Sequence, residues 1–453
     1  MNLGVPNPIN RRALRWLEAQ LPALVASGAI NAENAEAIRH HYAAQSRPTN
    51  FGFVILASVG SALIGAGVIL LIAHNWDELS RGVRTVIAFF PLIVAQLLAI
   101  FVLMRRNESR PWRESVAIFD VAAVATAISL VSQIYQIQGS FADFMKVWLL
   151  LSIPIVYLFR TTLGAVAYII GAVVWLFAES SWMFTKPEEL FCWLFLLLVL
   201  PYYMSILLRD RLSRQTTTLS ILLTIAAAIG LGFTAEATKA NLGGIAYAGL
   251  FTAAYLCGMK FFQDAQDRHL HTLSLVGGLG VGITTIVLSF ESLWHMTTDS
   301  SRALTGAPMG IGIAIELFFP AAAIALLAWD YANRRRIAFS VAAGVMPLIA
   351  ALAWLIANLA PATQRARDSS YSLAAALIFD AFALVLGIEL LTRGVRANSV
   401  ARANFGLLLV AALAVARFFD SDLGFATRGL GFIVVGAGFL TANVIWFKKR
   451  AAT

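Results

Sequence analysis

Residues able to do chemistry are scarce in this 453-residue chain, where 13% of side chains are charged and 59% are hydrophobic. Four acids, Asp120, Glu316, Asp380 and Glu389, fall inside long apolar runs, and so does one cation, Arg417. A carboxyl in such surroundings acts as a proton relay, binds a cation or sits in a buried ion pair, because an isolated charge there is too costly to keep. Glu316 and Asp380 lie deepest, about 10 Å from the nearer end of their runs at helical rise. Asp120 and Glu389 lie near run ends, where Arg113 and Arg393 are placed to neutralise them. Asp380 and Glu389 are nine residues apart, which puts them on opposite faces of one helix. Arg417 is one turn from its run end. It can reach outward to Asp420, three residues on, or hold an anionic ligand.

A second kind of chemistry is neutral. Thr126, Ser129, Gln133 and Gln136 recur at helical spacing and share one face of a helix. Amides are costly in lipid, so this stripe must meet other helices or line a watered cavity. His74 titrates near neutrality when unperturbed. Trp76 beside it fits an aromatic belt, and Asp77 is a plausible N-cap for a short surface helix. His74, Asp77, Ser129, Gln133, Gln136, Arg417 and Asp420 fall at one membrane level, and together they form the candidate polar pocket. Glu316 and Asp380 are the candidate intramembrane acids. No second histidine stands at ligand spacing, and Cys192 and Cys257 both sit in apolar runs, so no metal or disulfide is expected. Gly278, Gly280 and Gly282 lie in an apolar span without a preceding strand. They are no dinucleotide fingerprint, and no cofactor is expected. Paired-histidine, serine–lysine and Asp–Asp signatures are also missing, so no catalytic residues are assigned and an enzyme is the least favoured reading.

The elements that position these residues are membrane helices. A soluble domain carries about a quarter charged residues, so this composition needs lipid as its solvent. Soluble enzymes, nucleic-acid binders and disordered scaffolds are excluded. At about 20 apolar residues per span, the runs give about fourteen helices: 52–73, 83–104, 116–137, 144–159, 162–178, 190–208, 216–235, 243–262, 272–290, 311–329, 337–358, 372–392, 400–420 and 428–447. With both termini in the cytoplasm, roughly seven in ten basic residues fall on the cytoplasmic side. The net charge of +9 is then topology and not nucleic-acid affinity. The fold class is an all-α polytopic bundle, divided into a cytoplasmic segment 1–50 and a transmembrane domain 51–453. Leu14, Leu17, Leu21, Leu24 and Val25 give the first segment an apolar helical stripe. Gly28 ends that helix, Asn31 caps the next, and Ala35, Ile38 and Tyr42 continue the apolar face, which makes a short helical hairpin. The first fifty residues show no apolar core or cleavage site of a signal peptide.

Several segments together resemble a known family. They are Leu24-Val25-Ala26-Ser27-Gly28-Ala29-Ile30 with Ala35-Glu36-Ala37-Ile38, then Gly65 to Trp76 (Gly-Ala-Gly-Val-Ile-Leu-Leu-Ile-Ala-His-Asn-Trp), then Gln133-Ile134-Tyr135. The chain is similar over roughly residues 11–160 to the bacterial integral membrane family DUF2157, and Ala416-Arg417-Phe418-Phe419-Asp420 is the most recognisable later piece. The resemblance implies an inner-membrane protein with a helical cytoplasmic N-terminus and assigns no activity. Members of the family often carry a histidine after the Gln-Ile-Tyr unit and an acid after the following glycine. Here those places hold Gln136 and Ser140, which weighs against proton chemistry at them. Two functions remain: transport of a small solute or amphiphile through the polar pocket, or a non-catalytic membrane scaffold assembling through the N-terminal hairpin. The expected partners are the lipid bilayer and a second copy or another membrane protein, with no nucleic acid.

Overall fold

The protein is described by a computed structural model that covers residues 20–22, 24–45, 76–180, 186–262, 272–295, 304–332, 341–358, 370–397 and 399–420, with isolated positions beyond. Among these residues every regular element is helical. The expected spans 52–73 and 428–447 lie wholly or largely outside them, as does His74. The chain divides into two compact units, residues 1–84 and 85–453.

In the first unit Gly28 takes φ +72°, and Ala29 and Ile30 donate their amides back to the Leu24 carbonyl. Glycine enters this left-handed region without a Cβ clash, which is why the helix stops there. Asn31 then accepts the Asn34 amide at 2.8 Å and starts α1 (Ala32–Gln45). Both signals were legible in the sequence, whereas most of the first arm of the expected hairpin lies outside the described residues. Asp77 belongs to a 3-10 turn, Trp76–Glu78. The hydroxyl that receives an amide of the following helix, α2 (Arg81–Arg105), is that of Ser80. Arg84 donates to the Leu79 carbonyl and lies 5.7 Å over the Trp76 ring.

The second unit continues from α2 through α3 (Arg110–Tyr135), α4 (Phe141–Phe159), α5 (Thr162–Glu179), α6 (Phe191–Arg209), α7 (Arg214–Thr238), α8 (Gly243–Phe262), α9 (Thr272–Leu288) and α10 (Ser292–His295). It ends with α11 (Gly306–Ala332), α12 (Val341–Ala357), α13 (Ser370–Arg396) and α14 (Val400–Asp420). Ten helices among the described residues are long and apolar enough to cross a bilayer. Two more, Thr272–Leu288 and Ala342–Ala357, are apolar but shorter. The end of α9 is fixed locally: Trp294 donates its indole N–H to the Leu288 carbonyl at 2.9 Å, and the chain turns there into α10.

Gln136 and Ser140 are helix-junction positions. Gln136 is the residue after α3, at φ 51°, with its amide and that of Ile137 returned to the Gln133 and Ser132 carbonyls. Ser140 is the N-cap of α4 and forms a reciprocal capping box with Asp143. Serine is among the residues an N-cap favours, and the box satisfies two amides at once. The next turn is equally tight. Arg160 takes φ 50°, and the start of α5 is capped from another helix. Glu114 of α3 accepts the Thr162 and Leu163 amides at 2.9 and 2.8 Å, while Arg110 donates to the Thr162 hydroxyl. Replacing Glu114 with alanine orphans two amides at once and is expected to cost about 2 kcal/mol, read as a lower unfolding midpoint in detergent. An unchanged midpoint would mean that water caps α5 equally well.

Packing follows the rule for membrane bundles, in which small residues let backbones approach. Tyr168, Trp175, Phe195 and Leu219 fill one core made by α4 to α7. Phe379, Met346 and Ala353 fill another, made mainly by α8, α9, α12 and α13. Between these cores, glycines set the helix spacing. A Cβ on Gly277 of α9 would meet the Tyr255 backbone of α8, and one on Gly394 of α13 would meet the Ala403 backbone of α14.

Candidate functional site

The four intramembrane acids, divided by depth in the sequence, sort differently by their partners. Glu389 is paired: its carboxylate lies 2.8 Å from Arg393 one turn on and accepts the Ala342 amide at the start of α12. Asp380 is also paired, with Arg417 at 3.3 Å. The expected Arg417–Asp420 contact lies outside the described residues, as the side chain of Asp420 does, and Arg417 reaches across to α13. The Arg417 guanidinium also donates to the Ser289 carbonyl and hydroxyl just past the end of α9, and it packs 5.5 Å from the Phe290 ring. A cation is favoured at the negative end of a helix dipole, so one arginine holds three helices together there.

The other two acids have no cationic partner among the described residues. Asp120, 1% exposed, accepts from the Gln96 amide of α2 at 2.9 Å, not from Arg113 as the sequence suggested. Arg113 stands about two turns earlier on α3. Glu316, also 1% exposed, lies in the row Gly312, Glu316, Pro320 and Ala323 that α11 buries. Its Oε1 accepts from the Thr238 hydroxyl at 2.5 Å, and its Oε2 is buried with no hydrogen-bond partner. Thr238 is the last residue of α7, and Lys239 behind it caps the helix at φ 51°. Above this end of α7 the charges pair with one another: Lys239 with Glu236, and Lys186 with Glu179 at 3.0 Å. The hydrogen bond to Glu179 holds the Lys186 ammonium above its ordinary value.

Thr126, Ser129 and Gln133 are exposed on α3, and Gln136, also exposed, stands just past its end in left-handed backbone. Thr126 returns its hydroxyl to the Ala122 carbonyl, whereas the side chains of Ser129, Gln133 and Gln136 have no protein partner among the described residues. Helix α3 packs on α4 and α5, while α14, which carries Arg417, packs on α13 and α9. The candidate pocket residues therefore stand on helices with different neighbours, and His74 and the Asp77 side chain lie outside the described residues. Gln96, Thr238 and Ser289 were missed in the sequence because a neutral residue in an apolar run gives no sign of which neighbour it will meet.

No curated protein and no solved structure matches this chain. Helix after apolar helix, with the Gln-Ile-Tyr unit ending α3 and the glycine turn before α1, the N-terminal third carries the features on which the family resemblance rests. Residues 22–165, about a third of the chain, match the model of DUF2157, described as a predicted membrane protein.

Proposed function

We propose that this multi-pass membrane protein moves a small solute or an amphiphile across a bacterial inner membrane, with the exposed polar face of α3 as one wall of its path. The observation that carries this reading is the run Ser129, Gln133 and Gln136, which is exposed and has no protein partner among the described residues. In hydrocarbon an unpaired amide costs several kcal/mol, so a face like this is retained where it meets water, a polar solute or a partner chain. The orientation with both termini cytoplasmic follows from the basic residues gathered at one end of the helices.

Single cysteines at positions 129 and 133 test the path. The background replaces Cys192 and Cys257 with alanine, and Ile118→Cys and Phe119→Cys on the exposed apolar part of α3 serve as controls. A membrane-impermeant maleimide added to proteoliposomes is expected to label Ser129→Cys and Gln133→Cys at least about tenfold faster than the controls, since thiolate formation needs water. Labelling no faster than the controls would defeat the transport reading. Oxidative cross-linking between copies at these positions would turn it into the scaffold reading, with the stripe as a helix contact.

A further inference from the structure

We propose that Glu316 is a reversible proton-binding site inside the bundle, joined to the end of α7 through Thr238. The inference rests on α7 and α11 alone and is independent of the α3 path. The row Gly312, Glu316, Pro320 and Ala323 is buried along α11, and Glu316 is 1% exposed. Gly312 leaves room for Thr238 itself, because a Cβ there would strike the threonine methyl. One oxygen receives the Thr238 hydroxyl, and the other is buried without a partner.

Among the described residues no cation pairs with the site. The elements packed on α11 are α7, α8, α12 and the 3-10 turn Pro187–Leu190. Helix α12 carries no charged residue, and α8 carries only Lys260, which lies 4.4 Å from the Trp329 ring toward the other end of α11. On α7 the nearby charges are Glu236 and the capping Lys239, which pair with each other, and Arg214 is at the far end. The 3-10 turn adds Glu188 and Glu189, with Lys186 before them held by Glu179. Asp330, near the end of α11, is more than three turns away along its own helix. The surroundings of Glu316 are therefore acidic or neutral. The carboxyl also sits against the C-terminal end of α7, where the helix dipole disfavours negative charge.

These conditions select the neutral acid. A carboxylate in this packing leaves an ionised oxygen with no donor, whereas the protonated form leaves one hydroxyl unmet at a much smaller cost. When the proton leaves, the charge must draw in water or a cation, or part α11 from the end of α7. Proton binding is thus linked to how firmly Thr238 and α11 stay together.

The test uses the full chain in detergent micelles, followed by infrared difference spectroscopy and thermal unfolding. The wild type is expected to show a protonated-carboxyl band at neutral pH that is lost in Glu316→Gln and kept in Glu389→Gln. Thr238→Val is expected to shift that band without removing it, since the acid loses a hydrogen bond but keeps its proton. The folded state binds the extra proton, so the wild type loses stability relative to Glu316→Gln as pH rises above the ordinary carboxyl range. If Glu316→Gln does not fold, the shift in Thr238→Val carries the test. The assignment is overturned if the wild-type band is unaffected by both substitutions, or if sodium in place of choline at fixed pH raises the wild-type midpoint and removes the pH dependence. The latter result would make the occupant a metal cation. The path through α3 is read by cysteine labelling, so either proposal can fail without the other.

Discussion

Arg417→Ala is expected to lower the unfolding free energy by about 3 kcal/mol, the largest effect of any single side chain outside the helix contacts. The substitution strands Asp380, which loses its cation, and it frees the Ser289 carbonyl and hydroxyl at the end of α9. Much of the cost comes from what is left behind and not from the pair itself. The double variant Asp380→Leu with Arg417→Leu, which removes both charges, is therefore expected to recover most of the loss. Chemical unfolding in detergent micelles, run on both singles and the double, gives the coupling directly. Two singles whose losses simply add in the double would show that the charges do not interact. The sequence leaves Asp380 open as a proton-carrying group, but its place beside Arg417 predicts that Asp380→Asn lowers stability and not only activity.

The second large effect is expected at a glycine. Gly277→Ala places a Cβ 2.6 Å from the Tyr255 Cα of α8, where backbone and not a flexible side chain stands in the way. Relief requires α8 and α9 to separate, which costs about 1–3 kcal/mol and disturbs the contacts on both sides. Its neighbour is the control. A Cβ on Gly278 would lie 3.6 Å from the Tyr255 ring, in ordinary contact. Gly278→Ala is expected to be neutral or stabilising by up to about 1 kcal/mol, because alanine is the better helix former. Thermal midpoints of the two variants should differ by several degrees. Equal midpoints would mean that α8 and α9 do not approach so closely.

Much of the architecture was legible in the residues. The apolar runs located every long helix among the described residues, because lipid demands spans of nearly fixed length and the backbone must satisfy itself within each. Gly28 and Asn31 marked their turn because left-handed backbone and an exposed first-turn amide each ask for a particular side chain. The polar stripe of α3 was visible as a helical period, which Thr126, Ser129 and Gln133 follow on the helix while Gln136 stands past its left-handed end. The same reading divided the four acids by depth, which matched Glu389 to Arg393 but not Asp380 to Arg417 or Asp120 to Gln96.

Tertiary structure decided those partners. Arg393 is close to Glu389 in the chain, and that pair could be read from spacing alone. Arg417 and Asp380 stand on different helices, as do Thr238 and Glu316, and which helices become neighbours depends on glycine contacts between backbones. Periodicity says which face a residue occupies but not what packs against that face. By itself the sequence determined a helical membrane protein with a few costly groups inside it. Only the packing determined that Asp380 is matched by a cation, while Glu316 lies at the negative end of a helix with a single hydroxyl to meet it.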